Sequence, residues 1–313
     1  MSNLNLSNNK FLIIVAGPTA VGKTRLSINL AKHYQSEIFS ADSRQLYRQM
    51  SIGTAKPSEE ELSQVKHHFI DMADISSPYT VGHYAEDIRK TLAIYFQQHD
   101  VAVVTGGTGL YLRALLEGLD EFPDVTPDIY DIYQQKLDIY GLDWLLNLLK
   151  ELDPDYYDVV DKSNPRRIIR ALGVIHVSGK PYTSFINTTR NDTLPYHVIE
   201  ILLEIPRQEL YERIDKRVEE MLTAGLIEEA RNLYPYKGLR ALETVGYQEL
   251  FTYFEGACTL DDATALIQQN SRRYAKRQMT WFRKYGNWQI FHPAHFNAIV
   301  KYIDSIISGR VSS

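Results

Sequence analysis

Six apolar residues, Phe11-Leu-Ile-Ile-Val-Ala16, run straight into Gly17-Pro-Thr-Ala-Val-Gly-Lys-Thr24. A short β-rich run followed by G-x-x-x-x-G-K-[ST] leaves few folds open. It asks for a buried strand, a loop that turns backbone N–H groups inward, and a helix that opens on that loop. Those N–H groups and the helix N-terminus bind phosphate oxygens. Gly17, Pro18, Thr19, Ala20, Val21, Gly22, Lys23 and Thr24 are therefore candidate phosphate-binding residues. Lys23 adds a mobile positive charge, and the Thr24 hydroxyl is placed to ligate Mg²⁺. A P-loop names a phosphate without saying which one. A P-loop ATPase carries an Asp at the end of a buried strand to hold Mg²⁺ through water. Here the apolar run 101–104 ends in Thr105-Gly-Gly-Thr108, and no Asn-Lys-x-Asp tetrad follows. Both absences argue against a motor ATPase or a GTPase switch.

The periodicity after the loop extends the same architecture. A helix is expected from about Gly22, with Leu26, Leu30 and Tyr34 on one face. Residues 37–41 read as a second strand, 81–98 as a helix and 101–104 as a third strand. Strand, helix, strand, helix, strand means a parallel sheet with helices on both faces. The pattern changes near Pro123. From there to about Pro195 the segments are helical, clearest at 144–149 and 167–177, and five prolines punctuate them between Pro123 and Pro181. Strand character returns at 198–205. Helices are expected at 208–222, 226–233 and 259–285, and a last strand at 288–291. The fold class is α/β: a P-loop parallel sheet flanked by helices, built from 1–122 plus 197–313, with an all-helical insertion at 123–196.

Composition sets bounds on partners. No apolar run approaches a membrane span. The first ten residues are polar with one lysine, so a frayed tail is expected and no signal peptide. The single cysteine, Cys258, excludes an internal disulfide and a zinc site of several thiolates, and fits a reducing cytoplasm. A monomer is expected. The net charge of -5 argues against a general nucleic-acid coat. Local charge runs the other way: Arg166, Arg167 and Arg170 lie close together, as do Arg272, Arg273, Lys276, Arg277, Arg283 and Lys284.

Two further turns point at the same crevice. Asp42 follows the second strand, inside Asp42-Ser-Arg-Gln45, and the carboxyl ends of parallel strands face the ligand. It is open between a general base, a metal ligand and a helix cap. Gly106-Gly-Thr-Gly109 ends the third strand, where Thr108 offers a hydroxyl or caps a tight turn.

In order and combination these segments resemble the tRNA dimethylallyltransferase family, the isopentenylpyrophosphate transferases, over nearly the whole chain. The carrying segments are the P-loop, Asp42-Ser-Arg-Gln-Leu-Tyr47, Ile52-Gly-Thr-Ala-Lys-Pro57, His67-His-Phe-Ile-Asp71 and Gly106-Gly-Thr-Gly-Leu-Tyr111. Asn164-Pro-Arg-Arg-Ile-Ile-Arg-Ala-Leu172, Val245-Gly-Tyr-Gln-Glu249 and Tyr274-Ala-Lys-Arg-Gln-Met-Thr-Trp281 complete the set. The resemblance implies transfer of the allylic group of dimethylallyl diphosphate, with Mg²⁺, to the exocyclic amine of the adenosine 3′ to the anticodon of tRNA. It makes the P-loop a diphosphate site, Asp42 the general base and Thr108 a neighbour of the reacting atoms. It brings Arg217 to the diphosphate, although the residues alone favour a solvated arginine on an amphipathic helix. It implies tRNA contacts at Asp42, Ser43, Arg44, Gln45 and Thr108, and at Arg166, Arg167, Ile168, Ile169 and Arg170.

The chain departs from the family at two places. Tyr130 stands where many members carry an arginine, so a contact there would be stacking or a hydroxyl bond. Ser51 stands where an acid is frequent. The lone cysteine rules out the zinc finger of some eukaryotic relatives. Three other functions remain to be tested: a small-metabolite kinase, an isopentenyltransferase acting on free nucleotide, and an RNA-binding protein without chemistry. The basic helix 272–284 is read with Trp281 and Phe282 packed inward; Lys276 and Arg277 are open between solvated charges and contacts to single-stranded RNA.

Overall fold

Phe11–Ala16 forms β1, buried along its whole length, in a computed structural model that describes residues 9–77, 79–186 and 194–311. Residues 1–8, most of the expected tail, lie outside the described residues. A strand covered on both faces must be apolar throughout, which is why β1 shows no alternation in sequence. After it come α1 (Lys23–His33), β2 (Ile38–Ser40), α2 (Glu59–Gln64), β3 (His67–His68), α3 (Val81–Tyr95), β4 (Val101–Gly106) and α4 (Gly109–Glu117). Next are the helices α5 (Pro127–Tyr140), α6 (Leu142–Leu152), α7 (Pro154–Val159) and α8 (Pro165–Ser178). The chain then returns as β5 (His197–Leu203), α9 (Arg207–Thr223), α10 (Leu226–Leu233), α11 (Tyr247–Phe254), α12 (Leu260–Lys284), β6 (Gln289–Phe291) and α13 (Phe296–Val311).

The six strands form one parallel sheet in the order β3-β2-β4-β1-β5-β6. Ile13 of β1 pairs with Val103 on one side and Ile199 on the other. Alternate residues of β1 enter two separate cores. Phe11, Ile13 and Val15 pack with Leu26 and Leu30 of α1, Ile214 of α9 and Ile299 of α13. Leu12, Ile14 and Ala16 share a core with Ile88 of α3, Leu112 of α4, Leu250 of α11 and Phe282 of α12. The expected parallel sheet with helices on both faces is present. β4 runs on through Thr105 to Gly106, two residues past its apolar run, because Ala16 of β1 still pairs with Gly106. The two-residue β3 and the short α2, α4 and α11 carry too few periods to be read from sequence. The helix α13, with Ile299 and Ile303 buried, is an addition to the expected elements.

The chain divides into two compact units, one of Met1–Leu116 with Thr193–Ser313 and one of Glu117–Asp192. The second starts ahead of Pro123 because Phe122 stacks on Tyr182, with ring centroids 4.7 Å apart, and so belongs to it. Its core is Leu145, Leu149, Ile168, Ile169 and Leu172 from α6 and α8. Asp153, almost fully buried, caps α7 through the Tyr156 N–H (3.0 Å) and accepts the Thr183 N–H at 2.8 Å. Among the described residues no helix is long and apolar enough to cross a membrane.

Candidate active site

The loop between β1 and α1 needs backbone that most side chains avoid. Gly22, the cap of α1, has φ 104°, and Ala20 is left-handed at φ 63°. Lys23 folds back over this loop, donating to the carbonyls of Gly17 (3.0 Å) and Pro18 (2.7 Å). Burial lowers the Lys23 ammonium to about 8; Asp42 opposes that shift and Arg217 adds to it. Arg217 does not sit in solvent. Its Nη1 donates to Thr19 Oγ1 at 2.9 Å. Leu210, Ile214 and Val218 form the buried stripe of α9, and Arg217, next to Val218 on the edge of that stripe, is carried inward. Burial lowers its guanidinium from the usual arginine range, again against the charge of Asp42.

Asp42 both caps its turn and lines the cleft. Its Oδ1 accepts the N–H groups of Arg44 (2.8 Å) and Gln45 (3.3 Å), while the residue shares a cleft with Lys23, Thr24, Ser27, Ser40 and Thr105. Thr108 joins the two strand ends: its N–H donates to Ala41 O at 3.3 Å and its Oγ1 accepts the Ser43 N–H at 3.1 Å. A Cβ on Gly106 would collide with the Ala41 backbone, so this crossing requires glycine. The side chains of Arg44 and Gln45 are engaged within the chain. Arg44 donates to the carbonyls of Arg240 and Glu243, both at 3.2 Å. Gln45 Nε2 donates to Thr54 O (3.2 Å) and Ala55 O (3.0 Å). The Glu229 carboxylate anchors that loop from α10 by accepting the N–H groups of Ser51, Ile52 and Gly53 within 2.9 Å.

The reading of α12 for basic residues and core aromatics missed its main contribution. Gln278, only 7% exposed, accepts the Thr19 N–H through Oε1 and donates from Nε2 to Gly107 O, both at 2.9 Å. One amide thus ties the P-loop to the second glycine turn. Tyr274, Gln278 and Trp281 lie at i, i+4 and i+7 on one helix face, and side chains on Gly107 and Gly109 would run into Gln278 and Trp281. Desolvation of the Tyr274 hydroxyl, then the charge of Asp42, pushes its phenol up to about 12, and it also interacts with Thr108. Phe282 is buried and Trp281 packs against the core, as expected. Arg273, Lys276, Arg277, Arg283 and Lys284 are exposed, Arg283 reaching Glu204 at 2.5 Å, while Arg272 is half-buried and pairs with Asp215.

In the helical unit, Asn164 caps α8 by accepting the Arg167 N–H at 3.3 Å. Arg166, Arg167 and Arg170 are exposed, Arg170 lying 5.3 Å from the ring centroid of Phe122. Ile168 and Ile169 cannot present side chains to RNA, because the helical period turns both into the core of this unit. Tyr130 is half-buried and packs against that core too.

The sequence pattern described as IPP transferase matches residues 45–285. This chain belongs to the IPP transferase family. It is 49% identical to tRNA dimethylallyltransferase of Christiangramia forsetii over 88% of its length and 90% of that protein. With tRNA dimethylallyltransferase 1 of Phocaeicola vulgatus it shares 43% identity over 94% and 98% of the two chains. The full-length tRNA isopentenylpyrophosphate transferase of Bacillus halodurans has the same fold, with TM-score 0.71 and 34% identity over 97% of this chain and 98% of that one. A eukaryotic dimethylallyltransferase acting on tRNA superposes with TM-score 0.74 at 26% identity over 87% of this chain and 69% of that one.

The donor set of this IPP transferase fits a Mg²⁺ ion that keeps its waters. Thr24 and Asp42 line the cleft, whereas no group of three or more His, Cys, Asp and Glu gathers among the described residues. That excludes a cage made wholly by these side chains and suits a hard cation that takes its remaining oxygens from a phosphate.

Proposed function

We propose that this IPP transferase moves a dimethylallyl group from dimethylallyl diphosphate to the exocyclic amine of the adenosine 3′ to the anticodon of tRNA. The observation that carries the reading is the convergence of Lys23, Thr24 and Asp42 on one cleft, with Arg217 bonded to Thr19 of the same loop. As the allylic carbon–oxygen bond breaks, negative charge grows on the diphosphate. The free backbone N–H groups of the loop at residues 20–24, with Lys23 and Arg217, would meet that charge. The amine forms the new carbon–nitrogen bond and gives its proton to Asp42, with Thr108 alongside. Mg²⁺, held by Thr24, would add charge neutralisation on the leaving oxygens when bound. The adenine reaches the cleft by leaving the anticodon loop, which costs less than extrusion from a duplex. Arg166, Arg167 and Arg170 contact phosphates of the anticodon stem-loop from α8.

The test offers dimethylallyl diphosphate and Mg²⁺ with unmodified tRNA in one tube and AMP in another, followed by nucleoside mass spectrometry. One isopentenyl unit on tRNA adenosine alone is expected. Modified AMP would move the enzyme to the free-nucleotide branch, and no gain in either tube would overturn the reading. Asp42→Asn should lower turnover by about 10²–10⁴-fold while diphosphate affinity survives. Near-normal turnover would remove Asp42 from the role of base.

A further inference from the structure

One buried hydroxyl has no use in the chemistry above. Ser27 lies one turn into α1 from Thr24, is 0% exposed, and its Oγ has no hydrogen-bond partner. Leaving a buried polar group unpaired is costly, so a native chain keeps one where something meets it. Ser27 lines the same cleft as Lys23, Thr24 and Asp42, together with Ser40 and Thr105. Ser40 and Thr105 are register partners at the ends of β2 and β4. The cleft has about 40 Å³ of room, enough for a few waters at about 10–15 Å³ each. Thr105 also lies one residue from the end of β4, beside β1, close to where a P-loop ATPase carries the Asp that holds Mg²⁺ through water. Here Ser27, Ser40 and Thr105 put hydroxyls at that place beside Gln45 and His67, and Asp42 is the one acid lining the cleft among the described residues; Thr105 Oγ1 donates to Val15 O at 3.4 Å, which leaves its lone pairs to accept from a water.

We propose that Ser27, Ser40 and Thr105 form an uncharged seat that hydrogen-bonds the water ligands of Mg²⁺ while Thr24 binds the ion directly. The proposal rests on the P-loop holding a diphosphate. A seat of neutral hydroxyls has little hold on a bare cation, so the metal enters with the diphosphate and not ahead of it. Outer-shell partners of this kind are typically worth 10–100-fold in metal affinity.

Calorimetric titration of inorganic pyrophosphate into the full chain, with Mg²⁺ or with EDTA, separates the parts. The parent chain is expected to bind more tightly with Mg²⁺. Ser27→Ala and Thr105→Val should each shrink that tightening about tenfold and leave the EDTA affinity within about twofold. Thr105→Ser, which keeps the hydroxyl, should retain it. Unchanged tightening in both variants overturns the seat. So does a parallel loss in EDTA, which would mean that the hydroxyls only shape the loop. Ser27→Ala should melt no lower than the parent, since it removes an unpaired group; a lower melting temperature would show an existing partner and also overturn the seat. A parent chain that binds no pyrophosphate under either condition sinks the diphosphate reading itself, a result distinct from these.

Discussion

At Lys23, burial brings a lysine charge into the range of ordinary assay pH. Burial holds its ammonium near 8, so a diphosphate that needs the charged form must restore the proton above that pH. Affinity for dimethylallyl diphosphate is therefore expected to hold from pH 7 to 8 and weaken toward tenfold per unit beyond. Proton uptake should appear in calorimetry run in buffers of different ionisation enthalpy. A flat affinity through pH 9 would remove Lys23 from the contact. The loop around it was legible because its spacing is local: glycines, lysine and threonine lie within eight residues. Arg217 was not legible from the residues, since its partner Thr19 is 198 positions away and nothing in an amphipathic helix tells a solvated arginine from one at the edge of the buried stripe. Nothing in the sequence sets Ser27 apart from any other serine of an amphipathic helix.

Among the elements, α12 does more for the site than its basic character suggests. Gln278→Glu keeps the acceptor for the Thr19 N–H, loses the donor to Gly107 and places a negative charge beside the loop. Pyrophosphate affinity should fall about tenfold or more in calorimetry, equivalent to about 1.4 kcal/mol. Gln278→Leu leaves both backbone groups unpaired, at about 1–3 kcal/mol each, and should lower the unfolding midpoint instead. Wild-type values for both variants would dismiss the clamp. Strands β1 and β4 were readable because continuous apolar runs have few uses outside a covered sheet. The clamp was not, because a buried glutamine and a solvent-facing one look alike until the two glycine turns are brought against the helix.

At the scale of the whole molecule, the helical unit carries the charge by which the proposed RNA interaction can be tested. Alanine at Arg166, Arg167 or Arg170 should weaken tRNA binding. The slope of log affinity against log salt should fall by about 0.7–0.9 for each phosphate that is no longer neutralised. Fluorescence anisotropy between 50 and 200 mM salt measures this, and pyrophosphate affinity should not move. An unchanged slope for all three variants would place the tRNA elsewhere. The helical character of this unit was legible from its period. Its start was not, because Phe122 stacks on Tyr182 and that stacking cannot be seen from the prolines near Pro123.

The position of β1 has a consequence for how the chain is made. Phe11 pairs with Val101 on one side and His197 on the other, and the whole Glu117–Asp192 unit is translated between those two neighbours. The ribosome therefore releases the phosphate loop long before β5 and β6, the two strands on one side of β1, exist. Such distant pairings close late, after the entropy of bringing the ends together has been met. The clamp from Gln278 arrives later still. A nascent chain stalled before β5 should carry every residue of the P-loop and yet hold no diphosphate.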